Sequence, residues 1–386
     1  MRHIILADNT TIHTQLLPLT FTRPVSELLL GTMTLRQRWQ SLLEGRYTYD
    51  TADYLSELFP SEKPGPDSLT IASHIVATPE LADAVALLLP GEALTAGNEI
   101  IAFCGEGPQR MLPYPGKLTE ITRSYHLFEY NARFITSDFE SMVDSMEWRP
   151  VSKTCTVIGT SARILLAEGA KAEGVTLNTT GGPIYIGPGA EVMEGSCLRG
   201  PIAILDHSTV NMLTRIYPGT TIGRHCKVGG EINNVVMHDY TNKAHDGFLG
   251  NAVIGSWCNL GAGCVASNLK NDYTEIKLWD YDTHRFIRTG LQFCGLIMGD
   301  HSKAGINTMF NTATTVGVGV NIHGTGFPRN FVGSFSEGGA TMGFSEVPLT
   351  KFFAIARRVM ARRDVELTPE MERLFTTLHA LTESNR

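Results

Sequence analysis

Basic clusters are missing from this chain. No block of lysines or arginines stands out, and the formal net charge is −7 with a pI near 6.0, which argues against a nucleic-acid-binding surface. Long apolar runs are missing too. The opening "MRHIILADNTT" holds an apolar stretch of only a few residues, too short for a signal peptide or a membrane span. A disulfide framework is also unsupported: the 7 cysteines are odd in number and scattered from Cys104 to Cys294. No Cys-x-x-Cys or His-rich spacing announces a metal site. These absences leave an acidic cytoplasmic protein with no membrane span. At 386 residues it is long enough for two or three domains, each with its own core.

What is present is a ruler. Ile186, Val192, Leu198, Ile204, Val210, Ile216, Ile222 and Val228 fall at a strict spacing of six. Four places after each of the first seven stands a mostly small residue: Ala190, Ser196, Ile202, Ser208, Thr214, Thr220, Cys226. The pattern resumes at Phe248, Ile254 and Leu260, and again at Met298, Ala304, Phe310, Val316 and Ile322. A helix repeats at ~3.6 residues and a strand at 2, so neither explains the period. A hexapeptide β-helix does: each short strand turns one large apolar residue into a narrow prism, and a small residue lets the chain round the corner. Cys226, Cys258 and Cys264 occupy such corner positions and read as compact packing groups.

The ruler breaks twice. Between Val228 and Phe248 the spacing is 20, and His245 sits in that break beside Lys243 and Asp246. Between Ala266 and Met298 lies a polar, irregular segment expected to protrude as an arm or hairpin. Irregular segments on a rigid scaffold are where binding and catalytic groups concentrate.

The first 150 residues have another texture. "RHIILAD", "SLTIASHIV" and "NEIIAFC" read as strands. "TMTLRQRWQSLLEG" reads as a helix capped by Thr32 or Thr34 with Leu35, Trp39 and Leu42 on one face, and "TPELADAVALLL" as a helix with Pro79 in its first turn. The alternation indicates an α/β, Rossmann-like domain with a largely parallel sheet. After Gly343 the pattern is helical again, with Thr368 as cap, Pro369 in the first turn and a packing stripe of Leu374, Leu378 and Leu381. The expected domains are therefore 1–150, 151–345 and 346–386.

An α/β domain followed by a hexapeptide coil resembles the bifunctional sugar-1-phosphate nucleotidyltransferase/acetyltransferases. The likeness is most specific over "GGEINNVVMHDYTNKAHDGFLGNAVIGSWCNLGAGCVASNL". It implies a left-handed parallel β-helix and an N-acetyltransferase that uses acetyl-CoA on an amino-sugar phosphate, in nucleotide-sugar or cell-envelope precursor synthesis. It also implies a homotrimer with sites between neighbouring coils. By position, His245 matches the family's base, Phe248 its pocket tyrosine, and Asn259 and Asn268 the asparagines that hold the sugar and reacting groups. Glu231 matches a nearby glutamate. Gly261 and Ala262 match backbone positions near the thioester, and Gly305 and Gly324 the coils along which the coenzyme lies. Lys243 joins the candidate substrate contacts. Two positions depart from the family: a sugar-binding lysine is replaced by Asn233 or Asn234, and an arginine by Tyr217.

The chemistry agrees with these residue types. An amine must lose a proton as it attacks a thioester, and a histidine with an ordinary pKa near ~6.5 can take it. Backbone N–H groups at the glycine corner "LGAG" can stabilise the oxyanion.

In the N-terminal domain the family's glycine-rich phosphate loop is replaced by Asp8, Asn9, Thr10 and Thr11, and its lysine position holds Val25. Side chains there keep backbone amides from closing on phosphate. "IASHIVATPE" offers no metal-binding aspartate. The domain thus reads as an altered nucleotidyltransferase, with Arg23 the candidate phosphate contact and Mg2+ relevant only if the domain is active. The competing readings are a sugar-1-phosphate nucleotidyltransferase using UTP or dTTP, whose coil serves in assembly, and a non-catalytic binding protein.

Overall fold

The computed structural model describes residues 1–145 and 148–385, which form two compact units. One comprises Met1–Leu28 and Met33–Arg123, the other Leu29–Thr32 and Ser124–Arg386.

In the first unit a six-stranded sheet runs in the order Arg46–Asp50, His3–Ala7, Leu69–Ala72, Glu99–Cys104, Glu92–Ala96, Arg110–Pro113. The first three strands are parallel, but Glu99–Cys104 is antiparallel to both of its neighbours. The sheet is therefore mixed rather than largely parallel. Thr34 caps the helix Leu35–Leu42 through a capping box with Gln37, satisfying two backbone donors that the first turn leaves open. Leu35 and Trp39 are fully buried, whereas Leu42 turns outward and Leu43 takes the inward place. Thr78 caps Pro79–Ala86, with proline in the first turn as expected.

The second unit is a parallel β-helix. Its prism has three faces of stacked two- to three-residue strands. Cys197–Arg199 and Arg215–Ile216 exemplify the first, Ile202–Ile204 and Thr220–Ile222 the second, Thr209–Val210 and Lys227–Val228 the third. Every anchor from Ile186 to Val228 is at most 2% exposed, and the seven small-position residues are fully buried. Ser208 and Thr214 use their hydroxyls to take up corner carbonyls, donating to Gly223 O and Asn211 O. A bare methyl there would leave those polar groups unpaired. Cys226, Cys258 and Cys264 are buried at corners, with Sγ donating to backbone carbonyls.

The first break has a definite geometry. Strands Glu231–Met237 and Phe248–Ile254 each run through the first corner without interruption, pairing in register. Asn234 (φ 56°) and Asn251 (φ 45°) bend them there, a left-handed conformation that asparagine tolerates better than most residues. Tightening that corner puts Leu249, not Phe248, in the prism: Leu249 is fully buried and stacks on Ile232, while Phe248 faces outward opposite Glu231. Lys243 stands in register with Val228 and is 1% exposed.

The second break is a hairpin, Lys277–Asp280 against Arg285–Arg288. At the second corner His207, His225, Tyr240, Trp257 and His301 all have positive φ, and their rings stack at successive centroid separations of 5.1, 4.8, 4.1 and 6.0 Å. Phe352 and Phe375, from helices Leu349–Ala361 and Pro369–Leu381, cover the end of the stack at His301. Phe375 and Leu378 are buried with Leu374, while Leu381 is exposed and lies off the stripe. Helix Ser124–Met142, absent from the sequence reading, packs on the coil: Asn131 Nδ2 donates to Gly219 O and Thr221 Oγ1. The two compact units divide at Arg123–Ser124.

Candidate functional site

His245 is exposed on the third corner, between the third and first faces. The chain makes this corner tight with glycine. A Cβ on Gly229 would lie 2.4 Å from Ala244 O, and one on Gly247 would lie 2.0 Å from Cys264 O. The next coil brings Ala262 over His245, a register fixed by Gly263 N donating to Asp246 O at 3.0 Å. Ile306 follows over Ala262, since Asn307 N donates to Ala262 O at 2.7 Å. Gly261 N donates to Ala304 O and Gly305 N to Ile322 O, so the column continues to His323 and Gly324. The structure therefore brings His245, Gly261, Ala262, Gly305 and Gly324 to one corner. Among the amides of that corner, Gly261, Gly263 and Cys264 donate to the carbonyls of Ala304, Asp246 and Gly261. Ala262 N–H has no such carbonyl partner among the described residues and is the donor left for a ligand.

Lys243 is elsewhere. Its Nζ donates to Gly229 O (3.0 Å) and His245 O (2.7 Å) from inside the coil, and burial pulls its pKa down to about 8. It props the corner from within and presents no ammonium to a ligand.

On the first face, Glu231 pairs loosely with Arg215 at 3.6 Å and lies opposite Phe248. At the first corner Gly250 opposes Asn233, one coil from Tyr217, whose N–H donates to Ile232 O. Gly250 leaves a notch: a Cβ there would meet the tip of the Phe248 ring at 2.6 Å and Asn268 Nδ2 at 2.7 Å. Asn268 Nδ2 donates to Asn251 Oδ1 at 2.8 Å, which fixes the amide over the notch. The notch residues Gly250 and Asn251 escaped the sequence reading; the glycine after an anchor was the available signal. Asn259 joins neither group. It lines a cavity of about 480 Å³ on the third face with Tyr240, Trp257, Lys303 and Arg363.

A further cavity of about 680 Å³ lies under the hairpin, lined by Lys270, Lys277, Arg329, Trp279, Phe286 and Phe331. Trp279 stacks on Phe331 at 4.2 Å. Three cations beside aromatic faces suit a ligand that is both anionic and planar.

In the first unit the loop that replaces the glycines is closed on itself. Asn9 Oδ1 accepts from Thr11 N and Ile12 N, spending the amides at the start of helix Thr10–Gln15. Asp8 accepts from Ser73 Oγ (2.5 Å), Thr51 Oγ1 (2.6 Å), His13 Nδ1 (2.9 Å) and Val25 N (3.2 Å). Donors that would grip an external anion are held by the chain's own carboxylate. Arg23 is half-buried just before Pro24.

Comparison with known proteins agrees with this layout. Residues 4–146 match the family model for sugar nucleotidyl transferase. The bifunctional protein GlmU of Gloeobacter violaceus is 30% identical over 139 residues, 36% of this chain and 26% of the relative. GlmU of Clostridium beijerinckii is 32% identical over 133 residues, 34% of this chain and 25% of the relative. The chain is similar to GlmU. It spans about a quarter of the length of these GlmU relatives. A solved UDP-N-acetylglucosamine acyltransferase from Arabidopsis matches over 60% of this chain and 89% of its own at 13% identity, with a TM-score of 0.23.

Proposed function

We propose that the protein is an acetyl-CoA-dependent N-acetyltransferase acting on an amino-sugar phosphate of the glucosamine-1-phosphate type, with His245 as general base. The observation that carries this reading is the third-corner column, where an exposed imidazole lies one coil from the uncommitted N–H of Ala262. Acetyl-CoA supplies the activated acyl group. His245 takes the proton that the amine loses as it attacks, and Ala262 N–H donates to the carbonyl oxygen as charge develops there. Phe248 and Asn268, converging over Gly250, hold the sugar without adding charge. The cationic, aromatic cavity under the hairpin suits the phosphorylated nucleotide end of the coenzyme. The active form is a homotrimer and works in the cytoplasm.

Incubation with acetyl-CoA and glucosamine-1-phosphate should release free thiol, and His245→Ala should abolish most of that release. No release, or release undiminished in the variant, refutes the proposal. The match of residues 4–146 to a nucleotidyl transferase model favours a second activity, tested by pyrophosphate release from UTP or dTTP with a sugar-1-phosphate and Mg2+. The self-closed Asp8–Asn9 loop argues for a low rate in that assay.

A further inference from the structure

The first unit holds a buried imidazole with no visible employment. His74 follows strand Leu69–Ala72, at the carboxyl end of the parallel part of the sheet, where open α/β sheets place their ligands. It is 5% exposed, and neither Nδ1 nor Nε2 has a hydrogen-bond partner among the described residues. Leaving two ring nitrogens buried and unmatched is costly enough that native structures rarely do it without a ligand or catalytic reason. The ring lines a cavity of about 380 Å³ together with Asp8, Asn9, Asn98 and Glu99.

Two carboxylates meet it. Glu99 opens strand Glu99–Cys104, and Glu120 is bridged to Ile75 in the antiparallel sense. Backbone bonds clamp that bridge on both sides, with Ile121 N donating to His74 O (2.8 Å) and Val76 N to Thr119 O (2.9 Å). One ligand atom each from His74, Glu99 and Glu120 lies within 4.8 Å of the other two. Burial and the neighbouring Glu99 push the Glu120 carboxyl up, while burial pulls His74 down. Two carboxylates that repel one another, beside an imidazole held neutral, are the state a cation relieves. Asp8, the other acid at the cavity, is not available, since its oxygens are taken by Ser73, Thr51, His13 and Val25.

We infer that His74, Glu99 and Glu120 form a binding site for a divalent first-row transition-metal ion, of the Mn2+ or Zn2+ class. An imidazole nitrogen with two carboxylate oxygens matches that class; Mg2+ demands an oxygen shell and gives up its water reluctantly. The two carboxylates offset the charge of the ion, and three protein ligands leave positions for oxygen ligands such as phosphate. This site is independent of the acetyl transfer assigned to the coil. It also places metal chemistry in "IASHIVATPE", the stretch whose lack of an aspartate had argued against it.

The test is a titration of the full-length protein with Mn2+, following loss of the free-ion signal by electron paramagnetic resonance. One saturable site per chain is expected. Glu99→Gln, an exposed position whose change leaves the core alone, should weaken binding at least tenfold, as should Glu120→Gln. His74→Gln should do the same, with its fold checked by circular dichroism. A tenfold excess of Mg2+ should fail to displace the ion. Absence of a saturable site, an affinity unchanged in Glu99→Gln, or ready displacement by Mg2+ would overturn the assignment.

Discussion

Two segments of this chain, the N-terminal loop and the third corner of the coil, treat their hydrogen-bond donors in opposite ways. In the loop from Asp8 to Gln15, Asn9 takes the amides of Thr11 and Ile12, and Asp8 takes two hydroxyls, an imidazole and the Val25 amide. At the third corner of the coil, Ala262 keeps its N–H uncommitted and His245 stands exposed one coil away. A loop that satisfies itself keeps its amides from a ligand; a corner that leaves an N–H open can offer it to one.

The sharpest way to break the comparison is at the open end. His245→Ala should lower the rate of acetyl transfer by about 10²- to 10⁴-fold, the usual worth of a general base. Its urea unfolding midpoint should stay at the wild-type value, because the side chain is exposed.

At the closed end the effects reverse. Asp8→Ala removes the shared acceptor of four donors and should cost about 3–5 kcal/mol of stability in the first unit, read from urea unfolding. Acetyl transfer by the coil should be unaffected.

Gly250→Ala tests the notch. The added methyl displaces Phe248 or Asn268, so KM for the amino sugar should rise about tenfold with little change in KM for acetyl-CoA. Equal rises in both would mean that the notch is not the sugar's.

The smallest effect concerns pH. Lys243 has a folded pKa of about 8, below its ordinary value of 10.5. Between those values the unfolded chain binds more protons, so this residue adds stability as pH rises from 8 toward 10.5. Wild type should therefore gain on Lys243→Met across that window, a difference in which the contributions of the tyrosines cancel. A constant difference would show that Lys243 does not titrate there.

The period of six was legible because each anchor fills the same prism and each small residue turns the same corner. The slip was located but misassigned. Phe248 continues the spacing by count, yet the bends at Asn234 and Asn251 shorten the step through the first corner and deliver Leu249 instead. No count of hydrophobic residues shows that, since it depends on backbone dihedrals. Lys243 misled for a related reason: lysine reads as surface, and only the two carbonyls facing its Nζ explain its burial. In the candidate site, His245, Ala262, Gly305 and Gly324 were named from sequence and share a corner, whereas Asn259 lies on a different face from Asn268. The His74 group stayed invisible because its three members come from segments joined only by the sheet.

The stacked rings of the second corner have one more implication. The rings of Tyr240 and Trp257 lie nearly parallel, stacked at 4.1 Å, and belong to successive coils. The hairpin segment between Trp257 and His301 leaves those two rings stacked at 6.0 Å, so this edge of the prism tolerates length added outside the coil while keeping the register of the coils themselves. It also carries its own optical readout, because the emission of Trp257 will change as soon as the two coils part.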